Sequence, residues 1–219
     1  MRWIELSPAW QACLEQAWEA YTCGCVPVGA VVVNPAGEIV SLGRNRINEQ
    51  SAPPHQVCSS QLAHAELNAL LALDSAALNP RTCAIYTSLE PCPLCLGAIY
   101  MSGVRNIYYA AGDAYAGATD LLGKTPYLSH KPVKAFGPFP GGLAEFGCAI
   151  HADFILRRTE TERTNGQGVI EANRIAFPRG IELAEKLVVS GVAQDWARAG
   201  KQIGEVFDLF QAFAGLSQV

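Results

Sequence analysis

Three side chains of this 219-residue chain combine metal-ligand chemistry with motif spacing: His64, then Cys92 and Cys95 within Pro91-Cys92-Pro93-Leu94-Cys95. One imidazole and two thiolates suit zinc, and three protein ligands leave the fourth tetrahedral position open to water. A zinc so held lowers the pKa of water from ~15.7 towards ~7, which makes hydroxide available at neutral pH. Glu66 follows His64 by two residues, so on a helix it does not share the ligand's direction. A carboxylate beside such a site takes a proton from water and hands it to a leaving group. Both motifs read as helix starts, where the macrodipole and free N–H groups favour thiolate over thiol. Two blander readings compete. Cys92 and Cys95 have the spacing of a dithiol redox pair, and a fourth ligand from His55, Cys58 or Cys83 would close the zinc into a water-inert structural site. The coincidence of Pro91, the cysteine pair and His64-Ala65-Glu66 favours a catalytic zinc over both.

These residues need a frame. Trp3 to Tyr21 reads as an amphipathic helix that starts at Ser7-Pro8, with Trp10, Leu14, Ala17 and Trp18 on one face. Cys23-Gly24-Cys25 is a turn. Val26–Val33 and Glu38–Gly43 read as a β-hairpin about Asn34–Gly37. A loop with Pro53-Pro54 at its centre follows, from Arg44 to Leu62. A helix begins at Ala63 with Leu67, Leu70, Leu71 and Leu73 facing a core, and Asn79-Pro80 ends that unit. Cys83–Thr87 is a buried strand, Cys92–Met101 a helix closed by Gly103, and Val104–Ala111 another strand. Gly112 to Gly142 is rich in Gly and Pro, and Leu143 to Leu156 reads as a further strand and helix start. Thr159–Gly168 is a polar linker. The last fifty residues look helical, with Trp196, Ile203, Phe207 and Phe210 forming one apolar stripe, read as packing rather than as a base-stacking surface. Hairpin, helix, strand, helix, strand implies an α/β sandwich with helices on a mixed sheet. A domain over residues 1–156 and a helical extension over 157–219 follow.

Half of the residues are hydrophobic and only 16% are charged, enough to build a sizeable core and to exclude disorder along the whole chain. The 16 basic and 20 acidic residues give a net charge of −4, which argues against a broad basic nucleic-acid footprint. No run is long and apolar enough for a membrane span, and the first residues lack the pattern of a secretory signal, so the cytosol is expected. Eight cysteines there are thiols or metal ligands rather than a disulfide framework.

His64-Ala65-Glu66 with Pro91-Cys92-Pro93-Leu94-Cys95 is the H-x-E…P-C-x-x-C signature of the zinc deaminases. Over about Val26 to Gly117 the chain resembles the cytidine-deaminase-like superfamily. Val26–Val33, Tyr86–Ala98 and Asp113-Ala-Tyr-Ala-Gly-Ala118 resemble bacterial tRNA-adenosine deaminases; Cys92–Tyr100 with Ile107–Ala111 is similar to bacterial guanine deaminases. The resemblance implies a three-layer α-β-α sandwich about a mixed five-stranded sheet. It implies zinc on His64, Cys92 and Cys95, proton transfer by Glu66, and substrate contacts from Asn45, Ala65 and Asp113. It also implies a homodimer, for which the apolar stripe near the C-terminus is a compatible surface. Glu90 reads as structural, and His130 and His151 carry no assigned role. A non-catalytic zinc scaffold is the alternative of another class.

The substrate is read from departures. The Asn45–His64 loop is longer than a tRNA-adenosine deaminase needs, and the segment after Asp113 lacks that group's basic continuation. Residues 160–219 carry six basic and eight acidic side chains, so neither part of the chain is basic. Phosphate contacts need Lys or Arg. A free base or nucleoside is therefore favoured, an amino-purine such as guanine first, with tRNA adenosine as the alternative.

Overall fold

The computed structural model describes residues 1–162 and 166–215. Helix α1 (Pro8–Thr22) starts as its sequence requires: Pro8 occupies the first turn and the Ser7 hydroxyl accepts from Trp10 N–H. Strands β1 (Gly29–Val33) and β2 (Ile39–Arg44) form the antiparallel hairpin. Helix α2 (Ala65–Leu71) leads to β3 (Ala84–Leu89), and helix α3 (Pro93–Ser102) to β4 (Asn106–Ala111). The five-stranded sheet has the order β2-β1-β3-β4-β5, with β3 antiparallel to β1 and β3, β4 and β5 (Lys134–Phe136) mutually parallel. The sheet is mixed, as expected.

Side chains alternate along β1 and feed two cores. Val31 and Val33 join Trp10, Leu14, Phe146 and Phe207 on one face; Ala30 and Val32 join Ala69, Ile85, Leu96 and Ile107 on the other. Helix α2 lies directly on the hairpin. A Cβ at Gly43 would come within 2.3 Å of Ala69 N, so this contact requires glycine. The buried apolar residues of α2 are Ala65 and Ala69, with Leu73 buried just beyond its end, whereas Leu71, expected inside, is 46% exposed. The close approach to β2 selects small residues for the inner face and turns Leu71 to solvent. The long 45–64 loop is cross-linked: Arg46 donates to Glu49 and Gln56, and the fully buried Asn68 side chain bonds Val57 N, Val57 O and Arg44 O.

Beyond β4 the structure corrects the sequence reading. The fifth strand is Lys134–Phe136, inside the Gly/Pro-rich stretch, and Leu143–Leu156 contains no strand. It lies within α4 (Gly142–Glu162), whose apolar residues are covered on several sides and so show no clean period. Of the polar stretch Thr159–Gly168, residues 159–162 end α4, residues 163–165 lie outside the described residues, and α5 (Gly166–Ala176) follows. Helices α6 (Pro178–Ser190), α7 (Val192–Arg198) and α8 (Ile203–Phe213) follow among the described residues. Trp196 belongs to α7 and Ile203, Phe207 and Phe210 to α8, and all four are buried in one core with α1 and β1. This stripe is spent inside the chain, as packing, and is not free to meet a second copy.

Candidate active site

Each ligand candidate sits where a helix begins at the end of a loop or strand. His64 is the residue preceding α2, Cys92 the residue preceding α3, and Cys95 lies in the first turn of α3 with Pro93 before it. His64 Nδ1 is 3.5 Å from Cys92 Sγ and 3.4 Å from Cys95 Sγ, and the three ligand atoms lie within 4.8 Å of one another. A tetrahedral zinc with Zn–N near 2.0–2.1 Å and Zn–S near 2.3 Å separates its N and S ligands by about 3.5 Å. The cluster fits that metal, and the ligand count leaves a position for water. Among the described residues, His64, Cys92 and Cys95 are the group so placed. Neither His55, Cys58 nor Cys83 joins them, so no closed four-ligand site forms. All eight cysteines are free thiols.

Glu66 is 3% exposed and accepts a hydrogen bond from the Cys95 thiol at 3.2 Å. Burial raises its pKa, so its carboxyl is readier to hold a proton than an exposed glutamate. Cys92 moves the other way. Its interaction with Cys95, and behind that with His64, holds Cys92 down to about 4 against the opposing effect of burial. Cys95 is pushed up by the same interaction, by burial and by Glu66, and His64 is raised chiefly by its bond to Cys92. Cys92 is thus the more acidic of the two thiols, and a bound metal would require both as thiolates.

Beside the cluster lies a cavity of about 220 Å³ at the carboxyl ends of β3 and β4, where open α/β sheets place ligands. Asn45, Ala65, Glu66 and Asp113 line it together with His64 and Cys92, so every site residue singled out in the sequence except the buried Cys95 faces one space. Asn45 follows β2, with its N–H donating to Val28 O and its side-chain oxygen accepting from Ile47 N–H. Asp113 follows β4. Glu90 lines the cavity too, but its carboxylate is saturated by Asp113 N, Thr119 N and the Thr119 hydroxyl, so it braces the Asp113 turn. Gly117 closes that turn; a Cβ there would come within 2.4 Å of both Asp113 O and Glu90 Oε2. Sequence reasoning passed over His151 and Gln61, which also line the cavity. His151 sits in an apolar run of α4, and a lone histidine there carries no local signal of a site.

The chain was compared with known proteins. The model of the cytidine and deoxycytidylate deaminase zinc-binding region matches residues 5–111. The tRNA-specific adenosine deaminase of Aquifex aeolicus is 33% identical over 127 residues, which cover 54% of this chain and 76% of that protein. The chain belongs to the zinc-binding cytidine and deoxycytidylate deaminase family. Among solved structures, the guanine deaminase of Nitrosomonas europaea shares the fold with a TM-score of 0.53 at 23% identity, covering 67% of this chain and 82% of that one. A tRNA(Ile)-lysidine synthase of Deinococcus radiodurans is 41% identical over 145 residues, 64% of this chain; the match spans only 23% of that protein's length. The family's zinc-binding region therefore coincides with the His64, Cys92 and Cys95 cluster, and α4 to α8 lie beyond the matched residues. Among the described residues no helix is long and apolar enough to cross a membrane.

Proposed function

We propose that this deaminase domain removes the exocyclic amine of a free nucleobase or nucleoside by hydrolysis, with an amino-purine such as guanine as the leading substrate. The observation that carries this reading is the cavity. Its polar lining is amide, imidazole and carboxylate, and among the described residues no Lys or Arg faces it. Such a space suits a neutral heterocycle and repels a phosphate. The similarity of Cys92–Tyr100 to guanine deaminases supports the purine choice. Eight free thiols suit a reducing compartment such as the cytosol.

His64, Cys92 and Cys95 would hold zinc, which when bound supplies Lewis acidity and a water activated at neutral pH. Asn45 and Asp113 orient the ring so that its amine-bearing carbon lies near Glu66. Glu66 takes a proton from the attacking water, delivers it to the ring nitrogen, and passes the second proton to the amine. One C–O bond forms, the C–N bond breaks, and ammonia leaves with the pair of electrons of that bond. The product is the oxo base.

A second reading, adenosine in tRNA, is favoured by the 33% identity to the Aquifex enzyme and by the match to a tRNA-modifying synthase. Steady-state assays of the zinc-loaded chain on guanine, adenine, cytidine and a tRNA transcript separate the two. Turnover of guanine well above the rest supports the proposal; turnover of the transcript alone refutes it.

A further inference from the structure

Two buried groups outside the family-matched segment, Asp113 and His151, line the cavity, a third, Asn173, stands behind Asp113, and the reaction as described uses only Asp113. Asp113 Oδ1 accepts from Tyr115 N at 2.9 Å, Ala116 N at 3.1 Å and Asn173 Nδ2 at 3.2 Å. Its Oδ2 takes no hydrogen bond among the described residues, although Asp113 is buried in the cavity wall. Asn173 is 4% exposed and comes from α5, sixty residues away in sequence. It is fully engaged: Nδ2 donates to Asp113 Oδ1 and to Val169 O at 3.0 Å, and Oδ1 accepts from Ala114 N at 2.9 Å. The two-way bond between the amide and the Asp113 turn fixes which carboxylate oxygen remains open. His151, on α4, lines the same cavity, is 9% exposed, and has no side-chain hydrogen bond among the described residues. Burial keeps its ring neutral against the pull of Asp113.

Among the described residues neither Asp113 Oδ2 nor the His151 ring has a protein hydrogen-bond partner, and both residues line the cavity, so a ligand there can pair with them. Together they present an anionic acceptor beside a neutral ring that offers one N–H and one lone pair. The complement is a heterocycle edge carrying an N–H next to a ring-nitrogen acceptor. A free purine has that edge on its five-membered ring, whereas a nucleoside or an N9-alkylated base has lost the N–H.

We propose that His151 is a substrate-contacting specificity residue and that Asn173 is a positioning residue for Asp113, so that α4 and α5 build a wall selecting free purine bases over N9-substituted ones. This rests on the reading of the cavity as the deaminase site and narrows its substrate. Asn173 acts only through Asp113 and touches no substrate.

Binding of purine and of 9-methylpurine to the zinc-loaded full chain, measured by calorimetry, tests the wall without requiring turnover. The wild type is expected to bind purine at least about tenfold more tightly than 9-methylpurine, about 1.4 kcal/mol. His151→Leu keeps roughly the bulk and loses the hydrogen bonds, and Asn173→Ala frees the carboxylate; each is expected to bring the ratio to within about threefold of unity. A general loss of packing would weaken both ligands and leave the ratio unchanged. Zinc content and far-UV circular dichroism establish that each variant is folded; if Asn173→Ala is not, Asn173→Ser, which shortens the side chain, takes its place. Equal affinities in the wild type, no binding of purine, or a ratio unmoved in the variants overturns the proposal. Failure of the deaminase reading is separate: it would show as no turnover of any base, nucleoside or transcript, whatever the binding ratio.

Discussion

Glu66→Gln isolates the proton shuttle from everything else in the site. The substitution keeps the shape and a polar end group at the place of the oxygen 3.2 Å from Cys95 Sγ, and removes the capacity to take and return a proton. A positioned general acid–base is worth about 10²–10⁴ in rate, so kcat should fall by that factor. At 1.36 kcal/mol per tenfold this is about 2.7–5.4 kcal/mol on the barrier. Two transfers fall to the same carboxyl, which places the expectation at the upper end. The ligands His64, Cys92 and Cys95 are untouched, so zinc per chain by plasma mass spectrometry should equal that of the wild type. Glu66 is 3% exposed, and a charge is costly to bury while a neutral amide is less so. The urea midpoint of the variant should therefore match or exceed the wild type, as expected of a side chain kept for chemistry at the expense of stability. Retention of more than about a tenth of kcat would refute the shuttle. Loss of zinc, or destabilisation beyond about 2 kcal/mol, would instead make Glu66 a structural prop of the metal site.

Cys95→Ser should abolish tight zinc binding and turnover together, because a hydroxyl is a poor substitute for thiolate; a variant that keeps one zinc per chain would show that Cys95 is not a ligand. Chelation of the wild type should remove activity and added zinc should restore it, whereas a working dithiol would respond to reductant and not to metal. Phe207→Ala empties a fully buried site packed against Phe146 at 5.4 Å and Trp3 at 6.0 Å between ring centroids, and should cost about 3–5 kcal/mol in urea unfolding. A loss under about 1 kcal/mol would mean that α8 is not integral to the core. The pKa of His151 lies below its ordinary 6.5, since burial opposes the imidazolium more than Asp113 favours it. Below pH 6.5 the unfolded chain binds a proton that the fold refuses, so stability is full above pH 6.5 and falls as pH drops. His151→Gln should flatten that part of the stability–pH curve; an identical slope in both proteins contradicts a buried neutral histidine.

The ligand cluster was legible because its information is local. Pro93 after Cys92 and the helix-starting position of His64 set each donor at the mouth of a helix, and two short motifs suffice to define them. Strand β5 was not legible: three edge residues, Lys134–Phe136, carry almost no periodic signal, and their place is set by pairing with β4. Helix α4 was misjudged for the opposite reason. Leu143, Phe146, Ala149 and Ile150 face the α1 side while Cys148 and Ala152 face the α2–α3 side, so its hydrophobicity wraps around the axis and mimics a strand. Asn173 had no signal at all, since its meaning depends on Asp113 at a separation of sixty residues.

That contrast separates chemistry from selectivity in this chain. The residues proposed to move protons and hold metal lie within the segment matched by the family model, between His64 and Cys95, at the starts of the consecutive helices α2 and α3. One wall of the cavity is His151 of α4, and Asp113 beside it is held from behind by Asn173 of α5; both helices lie outside that segment, and their apolar faces are also bound into the cores. A substitution such as Ile170→Ala, at a buried position on α5 away from the cavity lining, should therefore do more than lower stability. By loosening α5 it should relax the hold of Asn173 on Asp113 and weaken discrimination between purine and 9-methylpurine, with zinc content and the Glu66-dependent step intact. If stability falls by the 2–5 kcal/mol typical of such a truncation while the affinity ratio stays fixed, packing and selectivity are uncoupled and the α5 wall is rigid on its own account.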